Sequence, residues 1–153
     1  MTVYYGADKA GGAGLRVERL AAPLPQATTE PLFHISGGLV NVKLLVGEVT
    51  EAIPAGTNQS TLLHETLPIT AAASISGYGL GRLLSLDTSF TDVLKTGASP
   101  GGAMSAIATP DGAGWLFAPG DINLQCDGSL AGQIRWLLFY HPLDPGAHVV
   151  AAA

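Results

Sequence analysis

Four histidines and a scatter of carboxylates are the groups in this chain that could move protons or hold a metal ion, so their spacing comes first. His34, His64, His141 and His148 stand far apart, and none forms the HxH or HExxH pair that brings two imidazoles to one ion. In "LLHETL" His64 and Glu65 are neighbours; read as strand residues they point to opposite faces, which keeps them from one metal. His141, directly before Pro142, reads as a strand-end residue. Serines occur in "ISGG", "ISGYG" and "DGSLAG", which are turn or strand-end settings rather than the G-x-S-x-G elbow that presents a nucleophile. "GYGLGR" has the glycines of a phosphate loop but neither a following helix nor a Lys-Ser/Thr pair. Asp111, Asp121, Asp127 and Asp144 fall at turns, where Asp is favoured for local hydrogen bonding, and no loop gathers the several oxygens calcium takes. No residue is therefore assigned a catalytic, cofactor-binding or metal-ligating role, and a protein without enzymatic activity or cofactor is expected.

The elements that would position any site read as β. In "LVNVKLLVGEVTEAI", Val40, Val42, Leu44 and Val46 fall on one side of a strand and Asn41 and Lys43 on the other, and glycines at 37, 38 and 47 oppose a helix. Leu63, Glu65, Leu67 and Ile69 alternate likewise, before glycines at 77, 79 and 81. Around Phe90 to Lys95 one helical turn or a loop is expected. From Ala103 on, Pro110-Asp111-Gly112, Pro119-Gly120-Asp121 and Asp127-Gly128-Ser129 cut the chain into short apolar runs at the spacing of consecutive hairpins. The run at 133–141 puts Ile134, Trp136, Leu138 and Tyr140 on one face. Leu137 and Phe139 lie on the other, beside Arg135 and His141, which predicts a strand covered on both faces, either central in a sandwich or barrel or with one face on a second subunit. About eight strands from Phe33 onward suit an antiparallel jelly-roll-like sandwich or barrel, with a domain over 32–153.

Residues 1–31 read differently. "GADKAGGAG" is glycine-rich and "PLPQATTEP" is punctuated by proline, which predicts an extended N-terminal arm. A disordered terminus is one expectation for such a segment; because Tyr4, Tyr5, Leu15, Val17 and Leu20 are apolar anchors that a solvated tail would lack, an arm that lies over a neighbouring subunit is the other. On this reading, removal of residues 1–28 leaves the melting temperature of the domain nearly unchanged.

The totals point to assembly. Of the 153 residues 12% are charged, against about 25% in ordinary soluble domains, while 47% are hydrophobic. No apolar run approaches the ~20 residues of a membrane helix, so lipid does not account for the deficit. Two readings remain: a monomer that covers itself with Ser, Thr, Asn, Gly and Pro, or burial of surface between subunits, whose interface cores are depleted in charge; the second is expected, because low charge leaves little to keep copies apart. Leu137 and Phe139 join the arm residues as candidate subunit-interface positions. A net charge of −5 with seven Lys and Arg opposes nucleic acid as a partner. The single Cys126 excludes an intrachain disulfide, and no signal-peptide run opens the sequence, so synthesis in a reducing cytoplasm is expected.

The glycine-rich arm, the low-charge β domain and the pattern "GDINLQCDGSLAGQIRWLLFYHPLDPGA" together resemble small virion structural proteins of tailed bacteriophages, above all capsid decoration (cement) proteins. The resemblance implies a non-enzymatic subunit, commonly a homotrimer, that binds the major capsid protein at the capsid surface. A phage tail or baseplate subunit fits the same pattern. A small jelly-roll carbohydrate-binding module or cupin-like enzyme is the rival from another class, distinguished by a concave site with convergent polar or aromatic side chains.

Overall fold

The computed structural model describes residues 14–85 and 114–153, and among these there are ten antiparallel strands and no helix. They are β1 (Leu15–Pro23), β2 (Thr29–Ser36), β3 (Val40–Glu51), β4 (Ser60–His64), β5 (Leu67–Pro68), β6 (Leu83–Ser85), β7 (Trp115–Phe117), β8 (Gly120–Cys126), β9 (Gln133–Pro142) and β10 (His148–Ala151). One five-stranded sheet, sheet A, runs β1-β9-β3-β6, with β7 also paired to β3. The other, sheet B, runs β10-β2-β8-β4-β5. The all-β antiparallel reading holds, and the architecture is a two-sheet sandwich. The turn or loop expected near Phe90 to Lys95 lies outside the described residues.

The hairpin expectation is corrected at the two later turns; the one at Pro110-Asp111-Gly112 lies outside the described residues. Among the described residues only β4 and β5 form a hairpin between consecutive strands, through Leu63 opposite Pro68 and His64 opposite Leu67. The turns at 119–121 and 127–129 carry the chain from one sheet to the other, since β7 and β9 belong to sheet A and β8 to sheet B. Proline and glycine mark where a strand must stop; they do not specify which strand it pairs with. Each strand here has one apolar face to bury, and crossing to the facing sheet buries it.

The domain boundary expected at residue 31 also moves. β1 pairs with β9 from Leu15 opposite Tyr140 to Pro23 opposite Gln133, and β2 lies between β10 and β8. Residues 15–31 are therefore part of the sandwich, and Leu15 and Val17 pack against the core of their own subunit. Pro31 is tolerated inside an inner strand because a bulge sits there, between Pro31 and Phe33 in the register with β8, and buries Leu32 and Phe33 together.

A second bulge corrects the reading of β3. Val40 and Val42 face the core as expected, but the register with β9 shifts between Val42 and Leu44. The extra residue, Lys43, reverses the alternation, so that Leu45 and Val49 point inward while Leu44 and Val46 turn outward. On β9 the expected face is observed: Ile134, Trp136, Leu138 and Tyr140 are all buried, and the strand is central between β1 and β3. Gly47 stands directly opposite Trp136, and a Cβ there would lie 2.9 Å from the indole Cζ3. The ring occupies the space a side chain at 47 would need.

Cys126 is buried at the end of β8, with its Sγ 3.4 Å from Ser60 Oγ. Burial is the main cause that pushes its thiol above the ordinary value. A thiol reagent at pH 8 is expected to label the native protein at least about a hundredfold more slowly than the urea-unfolded chain. Equal rates would place Cys126 at the surface. As pH climbs, the unfolded thiol loses its proton first, so this contribution to stability is present below about pH 8.5 and is lost as pH rises through the elevated native value.

Candidate functional site

The titratable groups of sheet B gather where β4 turns into β5. Glu65 adopts a left-handed backbone, φ 56°, and this ends the strand alternation at His64. The expectation that His64 and Glu65 diverge is thereby corrected, because a Cβ on Gly120 would run into both Glu65 Oε1 and His64 Nε2. Both groups are nevertheless engaged. His64 Nε2 donates to the Ala118 carbonyl at 3.0 Å, and Glu65 accepts from the Asp121 backbone N–H at 2.7 Å. Asn123 Nδ2 donates to the Glu65 carbonyl at 2.7 Å, and Asp121 Oδ1 pairs with His34 Nδ1. The carboxylate thus satisfies the start of β8, which fixes the β4–β5 turn to its neighbour. Of the other histidines, His141 is buried on β9 opposite Asn41, and the exposed His148 interacts through Nδ1 with the Gly146 carbonyl. Among the described residues no three His, Cys, Asp or Glu side chains are grouped to hold a metal ion.

Beside this turn the outer face of sheet B is concave. A groove of about 820 Å³ is lined by Thr29, Thr61, Glu65, Thr66, Thr70, Asn123 and Gln125, together with Leu63 and Pro68. The alternation of "INLQC" produces it: Ile122, Leu124 and Cys126 are buried, and Asn123 and Gln125 turn outward. That period was legible in the sequence. What it did not reveal is that Thr61 on β4 would lie opposite Gln125 on β8, and Leu63 opposite Asn123, as neighbours in one sheet far apart in the chain.

The outer face of sheet A is different in kind. Phe139 lies opposite Leu44, and Leu137 opposite Val46, giving a half-buried apolar patch in the middle of the sheet. Leu44 is 40% exposed, and Leu83 on β6, opposite Glu48, is 61% exposed. Charges flank the patch in order across the strands. Arg16 Nη2 meets Glu18 Oε2 at 2.6 Å on β1, Arg135 Nη1 reaches Glu18 Oε1 at 3.3 Å, and Arg135 Nη2 pairs with Glu48 on β3. Glu48 is the main cause that raises the Arg135 pKa, so the guanidinium stays charged and ties three strands in register.

The candidate interface residues divide accordingly. Leu137 and Phe139 lie on this outer face, whereas Leu15 and Val17 serve the core. Leu20 sits in a bulge between Arg19 and Ala22 and is 75% exposed at the free edge of β1. Tyr4 and Tyr5 lie outside the described residues. Leu44, which the bulge at Lys43 turns outward, and Leu83 were not anticipated.

No family model, curated protein or solved structure matches this chain.

Proposed function

We propose that this chain is a non-enzymatic structural subunit that works by surface association, in a phage particle as a capsid decoration protein. The observation that carries the reading is the outer face of sheet A. There the central strand presents Leu137 and Phe139, with Leu44 and Val46 alongside, although its opposite face already fills a core. An apolar patch rimmed by charged residues is the composition of an association surface. The sequence resemblance supplies the particle, the major capsid protein as partner and the capsid surface as location; a tail or baseplate subunit would use the same patch.

The test is co-sedimentation of the purified chain with capsid shells assembled from the major capsid protein of the same genome. The chain is expected to pellet with the shells, and Phe139→Asp to cut the bound fraction at least about fivefold while the melting temperature stays within a few degrees of the parent. A chain that stays in the supernatant beside intact shells removes the decoration reading. A second reading is favoured by the groove on sheet B, whose lining of hydroxyls, amides and the Glu65 carboxylate offers hydrogen bonds to an oligosaccharide. Retention on a glycan array, abolished by Asn123→Ala, would favour it instead.

A further inference from the structure

The free edge of β1 carries a charge pattern complementary to itself. Among the described residues β1 is the outermost strand of sheet A, bonded to β9 on one side only, so its other edge presents backbone N–H and C=O groups from Leu15 to Arg19. The bulge between Arg19 and Ala22 and then Pro23 end that regular edge, and Leu20 is held out at the bulge, 75% exposed. Arg16 and Glu18 project from the outer face on either side of Val17.

We infer that β1 pairs antiparallel with β1 of a second copy of this chain, about a two-fold axis at Val17, so that the two A sheets join into one. In antiparallel pairing about a two-fold axis, the residue n places before the axis lies opposite the residue n places after it. Centred on Val17, Arg16 faces Glu18 of the partner subunit and Glu18 faces Arg16 of the partner subunit, two opposite-charge pairs on one face. The neighbouring registers that keep both cores on the same side of the joined sheet lack this match. Centring on Arg16, Glu18 or Arg19 sets that residue against its own charge, which is destabilising. The sequence of the edge therefore selects both the partner and the register. This pairing goes beyond the proposed role and does not depend on it. It uses the edge of β1, beside the patch on β3 and β9 whose charged rim includes Arg16 and Glu18.

Chain mixing tests the register. The purified full chain is expected to associate in solution, and Arg16→Glu and Glu18→Arg are each expected to weaken that association at least about tenfold, because each places two like-charge pairs at the axis. An equimolar mixture of the two variants restores both attractive pairs and is expected to associate within about threefold of the parent. Thermal unfolding of each variant shows that it is folded. Because Glu18 also meets Arg135, a parallel measurement avoids the charge reversal. Arg16→Cys and Glu18→Cys chains, mixed and oxidised, should yield the mixed disulfide dimer in excess of either like dimer, with the buried Cys126 silent. A parent chain that stays monomeric at high concentration overturns the inference, as do variants that associate like the parent, a mixture no stronger than its components, or a statistical distribution of disulfides. These measurements use the chain alone, so a failure to bind capsid shells leaves their outcome unaffected.

Discussion

A chain that begins at residue 29 is expected to lose most of its native stability, in contrast to the indifference that an arm over residues 1–31 would predict. β1 covers one edge of β9 from Gln133 to Tyr140, and β9 carries the most continuous apolar face in the molecule. Its removal takes away the buried Leu24, the packed side chains of Leu15 and Val17 and the ladder along the whole strand. It also turns β9 from a central strand into an edge and opens Trp136 and Leu138 to water. Loss of one buried Leu costs about 2–5 kcal/mol, and native domains hold a total of about 5–15 kcal/mol. The deletion therefore removes a sum comparable to the whole. The measurement is thermal unfolding followed by near-ultraviolet circular dichroism, with a chain starting at Gly14 as the comparison, so that the difference belongs to β1 and the β1–β2 connection. A truncated chain that melts within a few degrees of that comparison would mean that β9 can stand as an edge.

What the sequence revealed and what it hid follow from the range of the interactions involved. The inward face of β9 was legible because alternation is a property of one strand: Ile134, Trp136, Leu138 and Tyr140 stand two apart, and nothing interrupts them. β3 was legible only up to Lys43, because a bulge is one extra residue against a partner strand and carries no compositional mark of its own. β1 was hidden by its flanks. Glycines precede "LRVERLAAP" and Pro25 follows it; Arg16 and Glu18 mark its outer face, and the buried Arg19, opposite Trp136, interrupts the apolar alternation of its inner one. The hairpins failed for a third reason, since strand pairing is decided by which apolar faces meet across the core. The candidate surfaces inherit this mixture. Leu137 and Phe139 could be placed opposite the core from the alternation of β9 alone, whereas their contact with Leu44 and Val46 depends on the bulge.

Trp136→Ala is expected to destabilise the sandwich by about 3–5 kcal/mol, at the upper end for a single core truncation. Trp136 is among the largest fully buried side chains, held between β1, where Arg19 is its partner, and β3, where its partner is Gly47. A cavity left by the indole could be closed only by side chains that move into it, and Gly47 has none to offer. The glycine that permits the ring to lie there is also the reason its loss cannot be repaired locally. The same geometry fixes the sign of the reciprocal change: Gly47→Val in the parent drives its side chain into the indole and Ile134, whose Cγ2 would lie 3.0 Å from the new Cβ, at a cost of about 1–3 kcal/mol. Combined, the two substitutions should not add. The isopropyl group introduced at position 47 would enter the space that the indole vacates, and a β-branched side chain suits a strand. The double variant is therefore expected to be more stable than Trp136→Ala alone, with a coupling of about 2–3 kcal/mol by urea unfolding of the four proteins. Additive costs would show that ring and glycine are adjacent without sharing space, and the packing described for this part of the core would be wrong.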